Sequence, residues 1–416
     1  MLLPYVILFL SCFLLLVYIF IRLSFGFWYY QPVFHIYDLR YYLFPPGIIQ
    51  HNLPEENKYT NLREIKTILF TDEFVKSKHQ LDNFMNLVQV NYLRNGDNVF
   101  SPKEENIVPY FVGHTSPCFF SFFNKDHLLL MPQQQQQDEL VQDKKVVGVM
   151  TTRPLFVMIQ NKNDSKKPWN QFNAYYVDYL CVDMANRKKG TAQQIIQTHH
   201  YNQRRANPKI HVSLFKREGK LTGIVPLCIY TTFGFSMETW KRTPMDAVPP
   251  AFKIVLCSGH NIRFLLDFMK ETRLLFDICI SPELSNILEL IKTSNLYLYY
   301  LLDSANENVM AAYFFRKTCT YMSKENECLQ FFGSICKTEP LLFIQGFHEA
   351  LANTVNRDGK TVFHYLSVEN VSHNGLIFDE LTRVRKCKPD LESPTAYFFY
   401  NFAYHTFAPD KVMIIF

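Results

Sequence analysis

The clearest pattern of apolar and polar positions in the chain lies between residues 174 and 196. The stretch from Ala174 to Val182 is rich in β-branched, aromatic and apolar residues, which is typical of a half-buried or central strand. After a short polar segment, the apolar residues Ala192, Ile195 and Ile196 recur at helical spacing. The pattern therefore predicts a strand, a turn and the first turns of a helix.

The turn between these two elements carries three consecutive cations followed by a glycine. Its residues are Arg187, Lys188, Lys189, Gly190 and Thr191. Free amides at the start of a helix, the helix macrodipole and nearby positive charges together form a suitable site for an anion. The glycine allows the backbone to bring those amides close to a phosphate. The alternative is a solvated basic turn between a core strand and a surface helix, because short motifs often arise by chance.

Strand-like and helix-like stretches alternate along most of the chain, and the alternation starts again after residue 251. A chain of 416 residues is too long for one compact core, so two domains or two halves are expected. We therefore predict an α+β (mixed α/β) protein with two tandem halves, residues 23–235 and 236–416. Each half is expected to contain a central mixed sheet.

The N-terminal segment differs from the rest in its hydropathy. Residues 2–21 carry no charge and are followed by Arg22, a run long enough to cross a bilayer core as a helix. A secretory signal peptide is the alternative, but the segment lacks a basic start and a small-x-small cleavage site. We expect a retained transmembrane anchor over residues 1–22. Since the nearby cations all follow it, the rest of the chain should face the cytoplasm.

Composition narrows the possible partners. With 48% hydrophobic and 19% charged residues, the chain has the composition of a folded and not a disordered protein, and its net charge of +5 is small. Nucleic-acid binders usually show a strong basic patch, so we predict no nucleic-acid partner. The 10 cysteines are scattered singly and match no zinc spacing. We therefore expect no bound metal, and reduced thiols that suit a cytoplasmic chain.

Six separated segments carry a family resemblance. They are Phe27-Trp-Tyr-Tyr-Gln-Pro-Val33, Tyr42-Leu-Phe-Pro-Pro-Gly47, Asn91-Tyr92 with Asp97-Asn-Val-Phe100, Val147-Gly-Val149, Tyr179-Leu-Cys-Val182, and Tyr397-Phe-Phe-Tyr-Asn-Phe402 with Pro409-Asp-Lys-Val412. In this order they resemble motifs of the glycylpeptide N-tetradecanoyltransferase (N-myristoyltransferase) family. The basic turn is similar to the pyrophosphate loop of GNAT-type acyltransferases, where the anion is coenzyme A. The two predicted halves would accordingly be GNAT-like.

The resemblance implies a reaction and its partners. The chain would transfer a long acyl chain, tetradecanoyl in the family, from CoA to the N-terminal glycine of a protein or peptide. Acyl-CoA would be a co-substrate, and no metal would take part. The oxyanion of the intermediate would be held by the backbone N–H groups of Tyr179 and Leu180, which requires a bulged or splayed strand.

In the family the general base is the C-terminal carboxylate, which falls on Phe416 here. The apolar run before Phe416 suits a terminus buried in a sheet, although an edge strand ending at the surface gives the same pattern.

The resemblance also implies a set of ligand contacts. Tyr230 and Thr231 would lie near the acyl chain and the peptide. Aromatic residues 27 and 28 would cover the CoA, although aromatic residues just past a membrane helix have the same pattern. The CoA contacts would come from Phe27, Trp28, Leu180, Cys181, Val182, Arg187, Lys188, Lys189, Gly190, Thr191 and Ala192.

Two departures from the family keep other functions open. Asp183 follows Val182 where the family has a histidine. The glycine-rich Lys-Phe-Gly-x-Gly-Asp-Gly element, which lies near the peptide site in the family, is missing from Phe378 to Pro394. One alternative is another acyl-CoA-dependent N-acyltransferase of the GNAT type. The other is a catalytically inactive, membrane-anchored interaction module on the same fold.

Overall fold

A computed structural model describes most of the chain. The described residues are 2–24, 26–71, 73–74, 77–92, 98–130, 140–161, 168–238, 240, 246–322, 326–357 and 360–416. Within these ranges the α-helices are α1 (Leu2–Ser24), α2 (Leu39–Leu43), α3 (Lys78–Asn91), α4 (Thr191–Ala206), α5 (Ile262–Thr272), α6 (Leu284–Lys292), α7 (Pro340–Val355) and α8 (Asn374–Asp379).

The strands are numbered in the same way over the described residues. They are β1 (Gly47–Ile48), β2 (Ile65–Leu69), β3 (Val99–Phe100), β4 (Phe119–Leu130), β5 (Leu140–Gln160), β6 (Trp169–Val182), β7 (Val212–Glu218), β8 (Cys228–Ser236), β9 (Phe252–Leu256), β10 (Ile278–Ser281), β11 (Leu296–Asp303), β12 (Val309–Tyr321), β13 (Glu327–Cys336), β14 (Asn356–Arg357), β15 (Lys360–Thr361), β16 (Tyr365–Glu369), β17 (Leu391–Tyr400), β18 (Phe402–Ala403) and β19 (Val412–Ile414).

Most of these strands form one large mixed sheet. Its main order is β19-β10-β5-β6-β7-β17-β8-β16-β13-β12-β11-β9, with β4 and β2 branching from β5 and β3 from β12. Strands β11 and β13 are buried along nearly their whole length, as expected from their near-continuous apolar sequences. Strands from before and after residue 235 alternate in the sheet, because β17 lies between β7 and β8 and β10 pairs with β5. The mixed α/β architecture follows from this topology.

Two crossovers of the same kind stand in this sheet. Strand β6 pairs in parallel with β7 through α4, and β13 pairs in parallel with β16 through α7; each helix has 16 residues. In both, the parallel pairing ends part of the way along the first strand, at Tyr176 and at Phe331. A register shift against the antiparallel neighbour lies next to that point in each strand. The sheet therefore opens at two places in the same manner, first between β6 and β7 and second between β13 and β16.

The second opening is closed by the chain itself. The amide of Ser334 donates to the Ser372 hydroxyl at 3.0 Å, and the amide of Cys336 donates to His373 Nδ1 at 2.8 Å. The Ser334 hydroxyl also donates to Asn374 Oδ1 at 2.6 Å. These side chains occupy the place that a neighbouring strand would take. The opening beside β6, in contrast, borders a cavity.

The membrane anchor predicted for residues 1–22 is not supported. The segment forms α1, whose described side chains, at positions 4–20, are exposed. A bilayer core takes about 20 consecutive apolar residues in a helix. Among the residues that the structure describes, no helix meets both the length and the hydropathy needed to span a membrane. The predictions of a transmembrane helix, of membrane anchoring and of a single-pass protein with a cytoplasmic body are therefore wrong.

Candidate active site

The strand predicted from residues 174–182 is the C-terminal part of β6, and it is bulged. Against β5, Val177 pairs with Thr152 and Leu180 pairs with Met150. Two residues of β6, Asp178 and Tyr179, thus lie opposite Thr151 alone. A bulge of this kind bends the strand and takes backbone groups out of the ladder. It lies where the oxyanion hole was predicted.

The register beyond the bulge fixes the direction of the Leu180 amide. The Asp183 amide donates to the Val147 carbonyl at 2.9 Å, so these two residues are a hydrogen-bonded pair. Bonded and non-bonded pairs alternate in an antiparallel ladder, so Leu180 and Met150 form a non-bonded pair. The N–H group of Leu180 therefore points away from β5 and towards the gap. The Tyr179 amide, in contrast, donates to the Thr151 hydroxyl at 3.2 Å.

A cavity of about 310 Å³ lies in the gap between β6 and β7. It begins where the parallel pairing of the two strands ends, at Tyr176 and Leu214. Its volume falls within the range of small-molecule pockets in proteins. Apolar and aromatic side chains share its lining with buried polar ones, among them Trp28, Met150, Leu180, His200, Gln203 and Phe215.

The two aromatic residues predicted to cover the ligand lie beside this cavity. Trp28 lines it and stacks on Phe215 with ring centroids 6.0 Å apart. Phe27 is buried and packs edge-on against Trp28 and Tyr59, at 5.1 and 5.0 Å. The described structure thus places Trp28 at the cavity and Phe27 behind it as support.

The basic turn leads directly into the N-terminus of α4. Gly190 is the N-cap and adopts φ +77°, a left-handed conformation that favours glycine. The first intrahelical bond at this end runs from the Gln194 amide to the Gly190 carbonyl at 3.1 Å. The amides before Gln194 thus have no intrahelical acceptor and can face an anion. Lys188 and Lys189, both exposed, flank them.

Arg187, for which the resemblance implied a contact with CoA, forms hydrogen bonds within the protein. Its guanidinium donates to the Val182 carbonyl at 3.1 Å and to the Asn91 carbonyl at 2.5 Å. Asn91 also accepts a bond from the Met184 amide at 3.1 Å. Arg187, although exposed, therefore ties the turn to the ends of β6 and α3, which leaves Lys188 and Lys189 as the cations of this turn without a side-chain hydrogen bond to the described residues.

The remaining predicted CoA contacts are mostly buried. The Thr191 hydroxyl donates to the Asn186 carbonyl at 2.9 Å, and Ala192 packs with Val182 in a small apolar cluster. Cys181 is buried, and burial raises the pKa of its thiol to about 12. The backbone at these positions, rather than the side chains, is thus what could contact a ligand.

The chain ends inside the sheet. Strand β19 pairs in parallel with β10, and Phe416 is only 1% exposed. The Phe416 ring lies 4.3 Å from the ring of Tyr176, just before the β6 bulge. One guanidinium nitrogen of Arg316 donates to the terminal oxygen of Phe416 at 2.9 Å. The two predicted catalytic elements, the bulge and Phe416, therefore meet on the same part of β6.

A buried charged cluster next to Phe416 was not predicted. At its centre is Glu369, which is 1% exposed. Its carboxylate accepts hydrogen bonds from Lys216 (2.8 Å), Arg316 (3.3 Å), Gln330 (2.7 Å) and Tyr230 (2.7 Å). Tyr230 is thus brought to the Phe416 side of the site. Thr231, the next residue on β8, is half-buried and its carbonyl accepts from the Asn370 amide at 3.0 Å.

The charged groups of this cluster shift the pKa values of their neighbours. Burial lowers the pKa of the Lys216 ammonium, but Glu218 and Glu369 together raise it above its ordinary value. Burial and the Glu369 carboxylate raise the pKa of the Tyr230 phenol well above its usual range. At neutral pH the cluster therefore holds charged Lys216 and Arg316 around Glu369 and keeps Tyr230 neutral. The sequence signal available was that Lys216 and Arg316 directly follow apolar runs within strands β7 and β12.

The comparisons with known proteins agree with this geometry at the level of the fold. No protein-family model and no curated protein sequence matches the chain. A crystal structure of Saccharomyces cerevisiae N-myristoyltransferase with bound myristoyl-CoA matches 94% of this chain and 99% of its own, with a TM-score of 0.67 and 11% identity. A further yeast N-myristoyltransferase structure with bound myristoyl-CoA covers 94% of each chain, with a TM-score of 0.65 and 12% identity.

The chain therefore has the mixed α/β, GNAT-like fold seen in N-myristoyltransferase. This agrees with the mixed α/β, GNAT-like part of the predicted fold class, whereas the predicted N-terminal transmembrane helix is wrong. At 11–12% identity the likeness concerns the fold, so activity has to be argued from the cleft.

Proposed function

We propose that the chain is an acyl-CoA-dependent N-acyltransferase of the GNAT type that acylates the N-terminal glycine of a protein, with a long acyl chain such as tetradecanoyl. The observation that carries the proposal is the bulge in β6, which directs the Leu180 amide into the gap between β6 and β7. The shared fold supports it, because both yeast structures hold myristoyl-CoA.

The cleft suits the binding of an extended thioester. Lys188, Lys189 and the free amides at the start of α4 would bind the phosphates of CoA. Beyond the bulge, the backbone of 180–182 would pair with the pantetheine arm in the place that β7 has left. Trp28, supported by Phe27, would cover the ligand.

Acyl transfer needs a donor for the negative oxygen of the tetrahedral intermediate. The Leu180 N–H group would supply it, and one such donor lowers a barrier by roughly 3 kcal/mol in other enzymes. The Tyr179 amide could join only by exchanging its bond to Thr151 for one to the oxyanion. The Phe416 carboxylate would act as a general base, and Tyr230 and Thr231 would border the peptide.

The proposal is tested by assaying the full chain with tetradecanoyl-CoA and a panel of peptides that begin with glycine. We expect CoA release coupled to a mass increase at the peptide N-terminus. A matched panel with the glycine amine acetylated should give no transfer. Tight binding of acyl-CoA without transfer to any peptide would contradict the proposal, and absence of binding by calorimetry would favour an interaction module.

The role of Phe416 has its own test, once mass spectrometry has established Phe416 as the last residue of the protein. An extension of three glycines displaces the carboxylate and should lower kcat/KM by about 100-fold or more. The matched control, Phe416→Leu, keeps both an apolar side chain and the carboxylate, and should retain most activity. Unchanged activity of the extended protein would exclude Phe416 as the base.

A second candidate is an N-acyltransferase that uses a shorter acyl group. The buried His200 in the cavity lining favours it, because a long alkyl chain offers no hydrogen-bond partner to a buried polar side chain. A series of acyl-CoA substrates from acetyl to tetradecanoyl separates the two. A maximum of kcat/KM at short chains would select this alternative.

A further inference from the structure

Asp178, inside the β6 bulge, has a buried carboxylate of which only one oxygen has a hydrogen-bond partner. Its side chain is 10% exposed, and Oδ1 accepts a hydrogen bond from Arg153 Nε at 2.9 Å. Its other oxygen, Oδ2, is buried and has no hydrogen-bond partner. A buried charged oxygen without a partner is costly, so it suggests that a ligand group belongs there.

The position of Asp178 links the two parts of the site. It lines the 310 Å³ cavity and lies two residues before Leu180, whose amide points into the same gap. Its partner Arg153 is 1% exposed, and the guanidinium carbon of Arg153 lies 5.4 Å from the ring centroid of Phe416. Asp178 therefore faces the same cavity as the oxyanion donor, and its partner Arg153 packs against the Phe416 ring at the end of the chain.

The proposed reaction needs more than one proton acceptor. An N-terminal amine has a pKa near 8, so it arrives mostly as ammonium at neutral pH. It must lose one proton before attack and a second after the carbon–nitrogen bond has formed. The terminal oxygen of Phe416 already accepts a hydrogen bond from Arg316, whereas Asp178 Oδ2 has none.

We propose that Asp178 is a catalytic residue that accepts the first proton from the acceptor's ammonium group. The assignment rests on the proposed function. Oδ2 takes the proton, and the freed nitrogen lone pair attacks the thioester carbon. The carbon–nitrogen bond forms while the carbonyl π electrons move to oxygen, facing the Leu180 amide. The second proton leaves nitrogen for the Phe416 carboxylate. The oxyanion electrons then re-form the carbonyl and break the carbon–sulfur bond, the departing CoA thiolate takes the proton held on Phe416, and Asp178 releases the first proton to solvent.

The surroundings of Asp178 suit this role. Burial raises the pKa of its carboxyl above the ordinary value, against the opposing effect of Arg153 and Arg316. A raised pKa makes a carboxylate a better base near neutral pH. The other titratable groups near it are Tyr92, Tyr110, Tyr176, Tyr179 and Cys118, and His199, His200, Lys216 and Arg217 line the same cavity. Burial raises the pKa of the phenols and the thiol and lowers the pKa of the two imidazoles, so these groups stay neutral in the working range. Glu218 and Glu369 raise the pKa of Lys216 and keep it charged.

The test compares full-length wild type with Asp178→Asn over a range of pH. At about pH 6.5 the variant should lose about 100-fold in kcat/KM, because the peptide amine is then mostly protonated. Above about pH 8 the free amine dominates in solution, so the difference should shrink to about 5-fold or less. A role confined to structure would lower activity equally at every pH.

Two controls keep the result interpretable. Asp267→Asn, at an exposed position of α5, should behave like wild type. Asp178→Asn leaves Arg153 as a buried unpaired cation, whereas the double variant Arg153→Gln/Asp178→Asn removes both charges. The double variant should show the same decrease, with rising pH, in the difference in kcat/KM from wild type. Calorimetry with tetradecanoyl-CoA should show retained binding in all variants.

The outcomes separate this assignment from the proposed function. An active wild type with an Asp178→Asn variant that keeps its activity, or loses it equally at all pH values, overturns the Asp178 assignment alone. A wild type that transfers no acyl group to any peptide overturns both.

Discussion

At the scale of single residues, the clearest feature of the molecule is a group of charged side chains inside the sheet, centred on the buried Glu369. Glu369 bridges Lys216 and Arg316, and Arg316 reaches the end of the chain. A buried ion pair adds little net stability, because desolvation offsets the attraction, but losing one partner leaves an uncompensated charge. The cluster therefore fixes the arrangement of strands β7, β12 and β16 more than it adds to their stability.

Glu369→Gln should accordingly destabilise the protein by about 3 kcal/mol or more, since two cations lose their buried counter-charge. Urea denaturation followed by tryptophan fluorescence measures the change. The control is Glu271→Gln, which removes an exposed ion pair with Lys337 and should cost less than about 1 kcal/mol. Equal effects of the two substitutions would show that Glu369 is not the centre of a buried network.

Single residues also show how far the sequence could predict the site. Trp28, Leu180 and Phe416 were predicted as site residues; Trp28 and Leu180 line one cavity, and Phe416 packs against Tyr176 of the same strand as Leu180. Asp178 and Glu369 were not predicted, because their importance comes from long-range contacts with Arg153 and Arg316. Periodicity reports which face of a strand is buried, and not which charge lies across it.

At the scale of elements, the basic turn and α4 act as one unit. The strand, turn and helix were all predicted from apolar spacing, whereas the bulge was expected only from the family resemblance, because an extra residue in a strand leaves the two-residue alternation almost unchanged over so short a stretch. The direction of Arg187 was also not predictable, since its acceptors lie on β6 and α3. The turn thus presents Lys188 and Lys189 outwards while Arg187 holds it in place.

Lys188→Gln/Lys189→Gln should weaken CoA binding by about 10-fold, because each cation beside the helix N-terminus contributes up to about 1 kcal/mol. Titration calorimetry at low and high salt measures the loss, which should be smaller at high salt. The double variant Lys253→Gln/Lys270→Gln, at exposed positions in the other half, is the matched control. An equal loss in the control would indicate a general effect of net charge and not a phosphate site.

At the scale of the whole molecule, the predicted division at residue 235 remains a prediction, and the sheet order bears on it. Strand β7 has β17 as a neighbour, β8 has β16 and β17, and β5 has β10, so each predicted half supplies strands to the other. Interleaving of this kind depends on pairings far apart in sequence, which local patterns do not report. Local patterns were therefore enough to predict the class of fold, but not the order of the strands in the sheet.

A fragment of residues 23–235 should therefore not fold alone, because β5, β7 and β8 would each expose an unpaired edge. Circular dichroism and size-exclusion chromatography should show a poorly structured or aggregated fragment. Co-expression with residues 236–416 should restore a single complex with one cooperative unfolding transition. A soluble, cooperatively folded 23–235 fragment would contradict the expectation and support two independent domains.

The paired crossovers have a consequence for how the molecule could change over evolutionary time. One opening is left vacant beside β6, and the other is filled by Ser372, His373 and Asn374. A scaffold with two similar gaps can use one for chemistry and fill the other, which keeps that part of the sheet rigid. Substitutions around β13 would then be selected for close packing of the filled gap. Those around β6 would be selected for keeping the cavity open.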